Sequence, residues 1–403
     1  MEMTEALELP LNMRRNGFDP VAELAEARDN EGVVRVMTPF GKLAYLVCRY
    51  DDVREVLSDP TRFSSARSPI ALPATSASGL SDEEQTRIRA GNLIALDPPE
   101  HTRLRRMLTA EFTARRMRRL EPRIVEIVEA ALDDLEQAGK PADLVAHFAL
   151  SVPSLVICEL LGVPYSDLAE FQDRTRRLLD VSLPAEEQIA AQRETRKYMA
   201  DLVAQAQLNP AEDILGMLVR EHGDDLDADE LVGVAGLLLM AGHETTSNML
   251  GLGTLALLRH PDQLDLIRND PARVEPAVEE LLRWLSIVQS MPPRMTTTEV
   301  TIAGHTIPAE SLVLVSLSGA NRDRAFIGDP DVLDVTRGAA GHVAFGHGLH
   351  HCLGAPLARM EMRLAFPALL RRFPGLALAQ PYDEVAFNSF SVVYGLKSLQ
   401  VTW

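Results

Sequence analysis

Two short stretches of the chain carry residue types that do chemistry. The first is Phe345-Gly346-His347-Gly348-Leu349-His350-His351-Cys352-Leu353-Gly354, one cysteine in a glycine-rich turn. A helical pattern follows at once: Leu353, Leu357, Met360 and Leu364 recur at i, i+4, i+7 and i+11, one apolar face of an α-helix. Pro356 fits the first turn, where a missing N–H costs nothing. Cys352 therefore sits just ahead of a helix N-terminus, where unpaired N–H groups and the positive dipole end favour a thiolate. Gly346, Gly348 and Gly354 let the backbone turn tightly and lie against something flat. Taken alone, the stretch leaves three readings. A buried structural cysteine is the ordinary fate of a lone one. Zinc is the second, since His347, His350, His351 and Cys352 are all ligand types. Their spacing is too tight to converge on one tetrahedral ion, and no CxxC or HExxH pattern supports it. The third is an axial thiolate ligand to haem iron.

The second stretch is Ala241-Gly242-His243-Glu244-Thr245-Thr246, set inside a long apolar helical pattern. Asp227-Ala228-Asp229-Glu230 reads as a capping box with Asp227 at the N-cap, and the pattern runs to Arg259-His260 before Pro261. That is about 33 residues, or about 50 Å of helix. A helix apolar on nearly all faces must run buried through the centre of the molecule. A buried Glu244 needs a partner or work to do. Gly242 and the threonine hydroxyls favour a local kink. The residues by themselves allow a hydrogen-bonded helix defect or a proton-handling pair.

The rest of the chain must position these stretches. It has 403 residues, 46% of them hydrophobic, enough for a substantial core. The acidic N-terminus shows no signal peptide, and no apolar run reaches the ~18–20 residues that span a bilayer. Three scattered cysteines (Cys48, Cys158, Cys352) argue against a disulfide framework and for a reducing cytoplasm. A net charge of −18 and 5% aromatic residues exclude a nucleic-acid binder. No internal repeat or low-complexity linker appears, and the length allows two domains or one large one. Val33–Val36 and Leu43–Val47 flank Pro39-Phe40-Gly41 as a small hairpin, and Asp51–Leu57 as a short helix. Residues 64–91 read as a long, partly irregular loop. From Pro99 to about Arg283 the pattern is helical; short β-type runs return at Thr298–Ile302, Leu312–Leu317 and Val392–Tyr394. The fold class is mainly α with a minor β region.

The cysteine stretch resembles the haem-ligand loop of the cytochrome P-450 family, Phe-Gly-x-Gly-x-x-x-Cys-x-Gly. The resemblance extends along the chain. Ala241-Gly242-His243-Glu244-Thr245-Thr246 is similar to the family's oxygen-activation motif, and Glu280-Leu281-Leu282-Arg283 to its Glu-x-x-Arg motif, with Arg337 as third member. The resemblance implies the family's triangular-prism fold, as one domain over residues 1–403, and haem b with Cys352 as axial ligand. Phe345, Gly354 and Ala241 would lie against the haem. His101 and Arg105, Arg294 and His350 would meet its propionates. Glu244 would relay protons toward dioxygen and Thr245 would hold the reacting oxygen and a water. Ala241 and Gly242 would leave room for oxygen and substrate. Glu280, Arg283 and Arg337 would form a structural triad without chemistry.

The implied activity is a monooxygenase that puts one atom of dioxygen into a C–H or C=C bond of a hydrophobic small molecule. Macrolides, terpenoids, steroids and fatty acids are the substrate classes of the soluble actinobacterial members it resembles. Candidate pocket residues are Ile70, Leu72, Leu93, Leu178, Leu179, Leu237, Met240, Ala241, Ser290, Met291, Val392 and Val393. No redox domain is fused, so NAD(P)H-derived electrons would come through a separate ferredoxin or flavodoxin. Arg103, Arg106, Arg115, Arg116, Arg118 and Arg119 would form its docking patch on an otherwise acidic chain, the protein being a monomer without a membrane anchor. Two alternatives are a peroxide-driven peroxygenase, against which the Glu244–Thr245 pair argues, and a haem gas sensor or carrier, which has no use for that pair.

Overall fold

A computed structural model describes residues 9–38, 41–68, 81–289 and 291–403. Its helices include α1 (Tyr50–Ser58), α2 (Asp82–Arg89), α3 (Glu100–Thr109), α4 (Ala114–Ala138), α5 (Ser151–Leu161) and α6 (Leu168–Leu179). They continue as α7 (Ala185–Leu208), α8 (Ala228–Arg259), α9 (Pro261–Asn269), α10 (Val274–Leu285) and α11 (Ala355–Arg372). The largest sheet has the order β1-β2-β5-β4-β3, from Val33–Met37, Leu43–Val47, Phe63–Ser64, Arg294–Thr296 and Leu312–Val315 in chain order. β1 and β2 form the expected hairpin, with Val34 opposite Leu46. β5 joins β2 in parallel, Val313 opposite Tyr45.

α8 organises the helical body. Asp227 accepts from the Glu230 N–H at 2.7 Å while the Glu230 carboxylate reaches back to the Asp227 N–H, so both ends of the capping box are made. Ala235, Leu250, Leu252 and Leu255 are fully buried, and α5, α7, α10 and α11 pack around the helix. Each such leucine contributes roughly 1.5–3 kcal/mol by leaving water. α8 runs as one continuous helix from Ala228 to Arg259. The Thr245 hydroxyl donates to the Ala241 carbonyl at 2.8 Å, one turn back along the helix.

Two local expectations change. The segment read as irregular contains α2, started by a full capping box between Ser81 and Glu84. Residues 392–394 form no strand; Val393 makes one isolated bridge to Val288. Among the described residues no helix is long and apolar enough to cross a membrane.

Candidate active site

The cysteine loop is shaped by its backbone. The Cys352 N–H donates to the Phe345 carbonyl at 2.9 Å, closing the loop just before α11. Gly346 and Gly348 take φ of +72° and +67°, the left-handed region that glycine enters without strain. A Cβ on Gly348 would also stand 2.6 Å from the Leu57 carbonyl oxygen, so α1 packs directly on the turn. Cys48 and Cys158 are buried, and burial pushes each thiol up to about 12. Cys352 alone is accessible, though protein hems it in. Burial raises its thiol as well, against the pull of the Gly354 and Ala355 N–H groups and of Arg105 and Arg359. The N–H groups of the helix start pull toward the thiolate as the sequence suggests, burial works against them, and a bound metal ion would favour the thiolate outright.

Beside the loop, four cationic or potentially cationic side chains converge from three parts of the chain. His101 and Arg105 come from α3, Arg294 from β4 and His350 from the loop. The His101 and His350 rings lie 4.4 Å apart. Both ring nitrogens of His101 and one Arg294 guanidinium nitrogen are buried without a hydrogen-bond partner. Burial, then Arg105 and Arg294, push His101 down to about 4; burial and the same arginines with His101 push His350 to about 2. Burial lowers Arg294 to about 10. The nearby Asp97 is occupied: it accepts from the Ser64 hydroxyl and the Ser65 and Ala66 N–H groups. One Arg105 nitrogen donates to the His351 carbonyl at 2.7 Å, tying α3 to the loop. Buried polar atoms left unpaired in this way call for a missing partner. The side chains present fit a flat group bearing two carboxylates, set over a cysteine.

Near the midpoint of α8, Ala241 is exposed although most of the helix is buried or half-buried. Thr245 is one turn on, on the same face. Gly242 has a packing role. A Cβ there would meet Ile157 Cδ1 of α5 at 2.7 Å, so the missing side chain admits a neighbouring helix. Glu244 is pushed up to about 7 by burial, against the Asn248 hydrogen bond and the Arg176 charge. Asn248 donates to both the Glu244 backbone carbonyl (2.8 Å) and its carboxylate (3.3 Å). His243 is fully buried beside it. Sequence reasoning missed Asn248, Arg176 and His243; the i, i+4 spacing from Glu244 to Asn248 was the available signal.

The pocket candidates are gathered by backbone bonds. Val392 N–H donates to the Leu179 carbonyl at 3.1 Å, Gln289 to Val392 at 2.9 Å and Tyr394 to Ile287 at 2.7 Å. Three distant segments thus meet in one place. Leu237, Met240, Met291 and Val392 keep partial exposure, whereas Leu93, Leu178, Leu179 and Val393 are core. Ile70, Leu72 and Ser290 lie outside the described residues. Glu280 and Arg283 form a bidentate pair, both bonds 2.7 Å, with neither side chain exposed, and Arg337 approaches Glu280 at 3.8 Å. A second ion pair escaped sequence reasoning: Arg359 binds Glu279 through two bonds and lies 4.6 Å over the Phe345 ring. Of the six patch arginines, Arg103 pairs with Glu230 and Arg116 with Glu111, while Arg106, Arg115, Arg118 and Arg119 are exposed.

A mainly helical body, an accessible cysteine in a turn before a helix, and an acid–alcohol pair in a central helix define a haem-thiolate monooxygenase. Residues 185–384 match the family model described as cytochrome P-450. Cytochrome P-450 FAS1 of Rhodococcoides fascians is 56% identical over 402 residues, covering 100% of both chains. Pentalenic acid synthase of Streptomyces avermitilis is 43% identical, over 96% of this chain and 95% of its own. Among solved structures, CYP105P1 in complex with filipin I gives a TM-score of 0.90 at 39% identity, covering 97% of each chain. OxyC, implicated in an oxidative C–C coupling during vancomycin biosynthesis, gives 0.86 at 39% identity, covering 97% of this chain and 96% of its own. The chain belongs to the cytochrome P-450 family. It has that family's prism-shaped fold, its haem with a cysteine thiolate ligand and its monooxygenase class of reaction.

Proposed function

We propose that residues 1–403 form one haem domain of a cytoplasmic, monomeric enzyme that oxygenates an apolar small molecule at a C–H or C=C bond. Cys352 would ligate the haem iron, His101, Arg105, Arg294 and His350 would hold its two carboxylates, and Phe345, Gly354 and Ala241 would lie against it. The single observation that carries this is the buried, unpaired nitrogen set of His101 and Arg294 beside an accessible cysteine. Haem, when bound, supplies dioxygen reduction and the oxidising power. The chain's own residues supply the rest.

Glu244 holds a proton below about pH 7 and loses it above, so proton supply fades as pH rises through that value. Thr245, with its own proton committed to the Ala241 carbonyl, keeps its oxygen as an acceptor for water. Leu237, Met240, Met291 and Val392 offer uncharged surface to substrate, which supports an apolar ligand. The names of relatives, among them pentalenic acid synthase, and a solved neighbour holding filipin I support a macrolide-, terpenoid-, steroid- or fatty-acid-like substrate. Arg106, Arg115, Arg118 and Arg119 are the docking patch for a separate ferredoxin or flavodoxin. Two experiments test the reading. Spectral titration of the purified holoenzyme with apolar natural products identifies the ligand class by its shift of the haem spectrum. Turnover of that ligand by Glu244→Gln then releases hydrogen peroxide at the expense of product; unchanged coupling contradicts the proton role.

A further inference from the structure

One buried base near the proton carrier has no task in that scheme. His243 is fully buried and meets Phe171 of α6 edge-on, ring centroids 4.7 Å apart. Its Nδ1 lies 2.9 Å from the Leu239 carbonyl oxygen. A carbonyl only accepts, so Nδ1 carries the proton of the neutral ring and Nε2 presents a lone pair. That Nε2 is buried without a hydrogen-bond partner and stands 3.7 Å from Glu244 Oε1. The other carboxyl oxygen accepts from Asn248 at 3.3 Å. An amide N–H prefers the bare oxygen, which leaves Oε1, on the imidazole side, to carry the acid's proton.

We propose that His243 is a positioning residue for proton delivery, its Nε2 accepting from protonated Glu244 Oε1 and so holding that acid neutral and in place. The inference rests on Glu244 being the proton carrier. A small turn of the carboxyl closes the 3.7 Å separation to hydrogen-bond length. A hydrogen bond to the neutral form of an acid disfavours its ionisation. Burial pushes the imidazole down to about 4, so the pair remains neutral acid and neutral ring and does not become an ion pair. One charged group acts on Glu244 from the helices around it: Arg176 of α6, itself paired with Asp173, favours the carboxylate and opposes His243. Among the described residues, α5, α7 and α11 present no charged group that acts on this carboxyl.

The test is an infrared pH series on the ferric holoenzyme, with the protonated-carboxyl band of Glu244 assigned by its loss in Glu244→Gln. In the wild type the band titrates well above the ordinary carboxylate range, since burial alone pushes Glu244 up to about 7 and the His243 bond raises it further. His243→Phe keeps the packing on Phe171 and removes the acceptor; its midpoint falls by about one pH unit, roughly tenfold in proton affinity. His243→Gln, whose amide restores both a donor for Leu239 and an acceptor for Glu244, returns it toward the wild-type value. An unchanged midpoint in His243→Phe overturns the inference and leaves the role of Glu244 standing. A wild-type midpoint in the ordinary carboxylate range overturns the Glu244 reading itself. Should His243→Phe fail to fold, nitrogen-15 NMR of the wild-type ferrous carbonyl form decides. A His243 Nε2 resonance that follows the Glu244 titration while the ring stays neutral supports the proposal, and one indifferent to it refutes it.

Discussion

The rings of His101 and His350 lie 4.4 Å apart, brought together from a helix and a loop, and burial with two neighbouring arginines keeps both uncharged. Such a cluster stabilises the protein only when an anion completes it. Arg294→Leu removes a buried cation with an unpaired nitrogen, so the haem-free protein gains stability while the holoenzyme loses haem faster. A charge-assisted hydrogen bond is worth about 1.5–3 kcal/mol, which sets the rise in haem loss at roughly tenfold or more. Haem transfer to apomyoglobin measures it. Equal loss rates in wild type and variant contradict the assignment.

Glu280 and Arg283 form a pair with no exposure of either side chain, and Arg283 also donates to the Asn321, Pro330 and Val332 carbonyls. Asn321 in turn accepts from the Val343 N–H, just ahead of the cysteine loop. Glu280→Gln leaves a buried guanidinium without its counter-charge, and unfolding by denaturant is expected to show a loss of about 3–5 kcal/mol. A loss below ~1 kcal/mol would place the pair among the ordinary surface contacts.

Gly242→Ala puts a methyl group 2.7 Å from Ile157 Cδ1 in the unrelaxed structure. Overpacking of this kind costs about 1–3 kcal/mol. Adding Ile157→Ala removes the opposing methyl groups and relieves the clash, so thermal unfolding of the double variant shows a smaller combined loss than the two single losses added. Strict additivity would mean that the two side chains do not meet.

The proposed docking patch divides into exposed and paired arginines. Arg106→Glu and Arg118→Glu slow reduction by a ferredoxin in stopped-flow mixing, most at low salt, because they weaken electrostatic steering. Arg103→Glu and Arg116→Glu act chiefly on stability, since Glu230 and Glu111 already pair with those positions. Reduction rates that ignore both ionic strength and Arg106 remove the patch from the account.

What the sequence revealed follows from distance along the chain. The capping box at Asp227, the helix behind Cys352 and the hairpin at Val33–Val47 depend on neighbours a few residues away, and all stand as read. α2 carries an equally local signal in Ser81 and Glu84, although the surrounding Ser, Ala and Pro read as loop. The role of Gly242 was not legible, since Ile157 comes from another helix. The direction in which the Cys352 thiol is pushed depends on burial by many segments, which outweighs the local helix start. The meeting of Leu179, Gln289 and Val392 is likewise a property of the folded backbone.

Sulfur ligation by Cys352 is the claim on which the other assignments rest, and the ferrous carbonyl spectrum tests it most directly. The freshly purified wild type is expected to show the red-shifted band of thiolate coordination, and Cys352→Ala to lose that band while Cys48→Ala and Cys158→Ala keep it. A Cys352→Ala protein that retains the band, or a wild type that never shows it, would contradict the account.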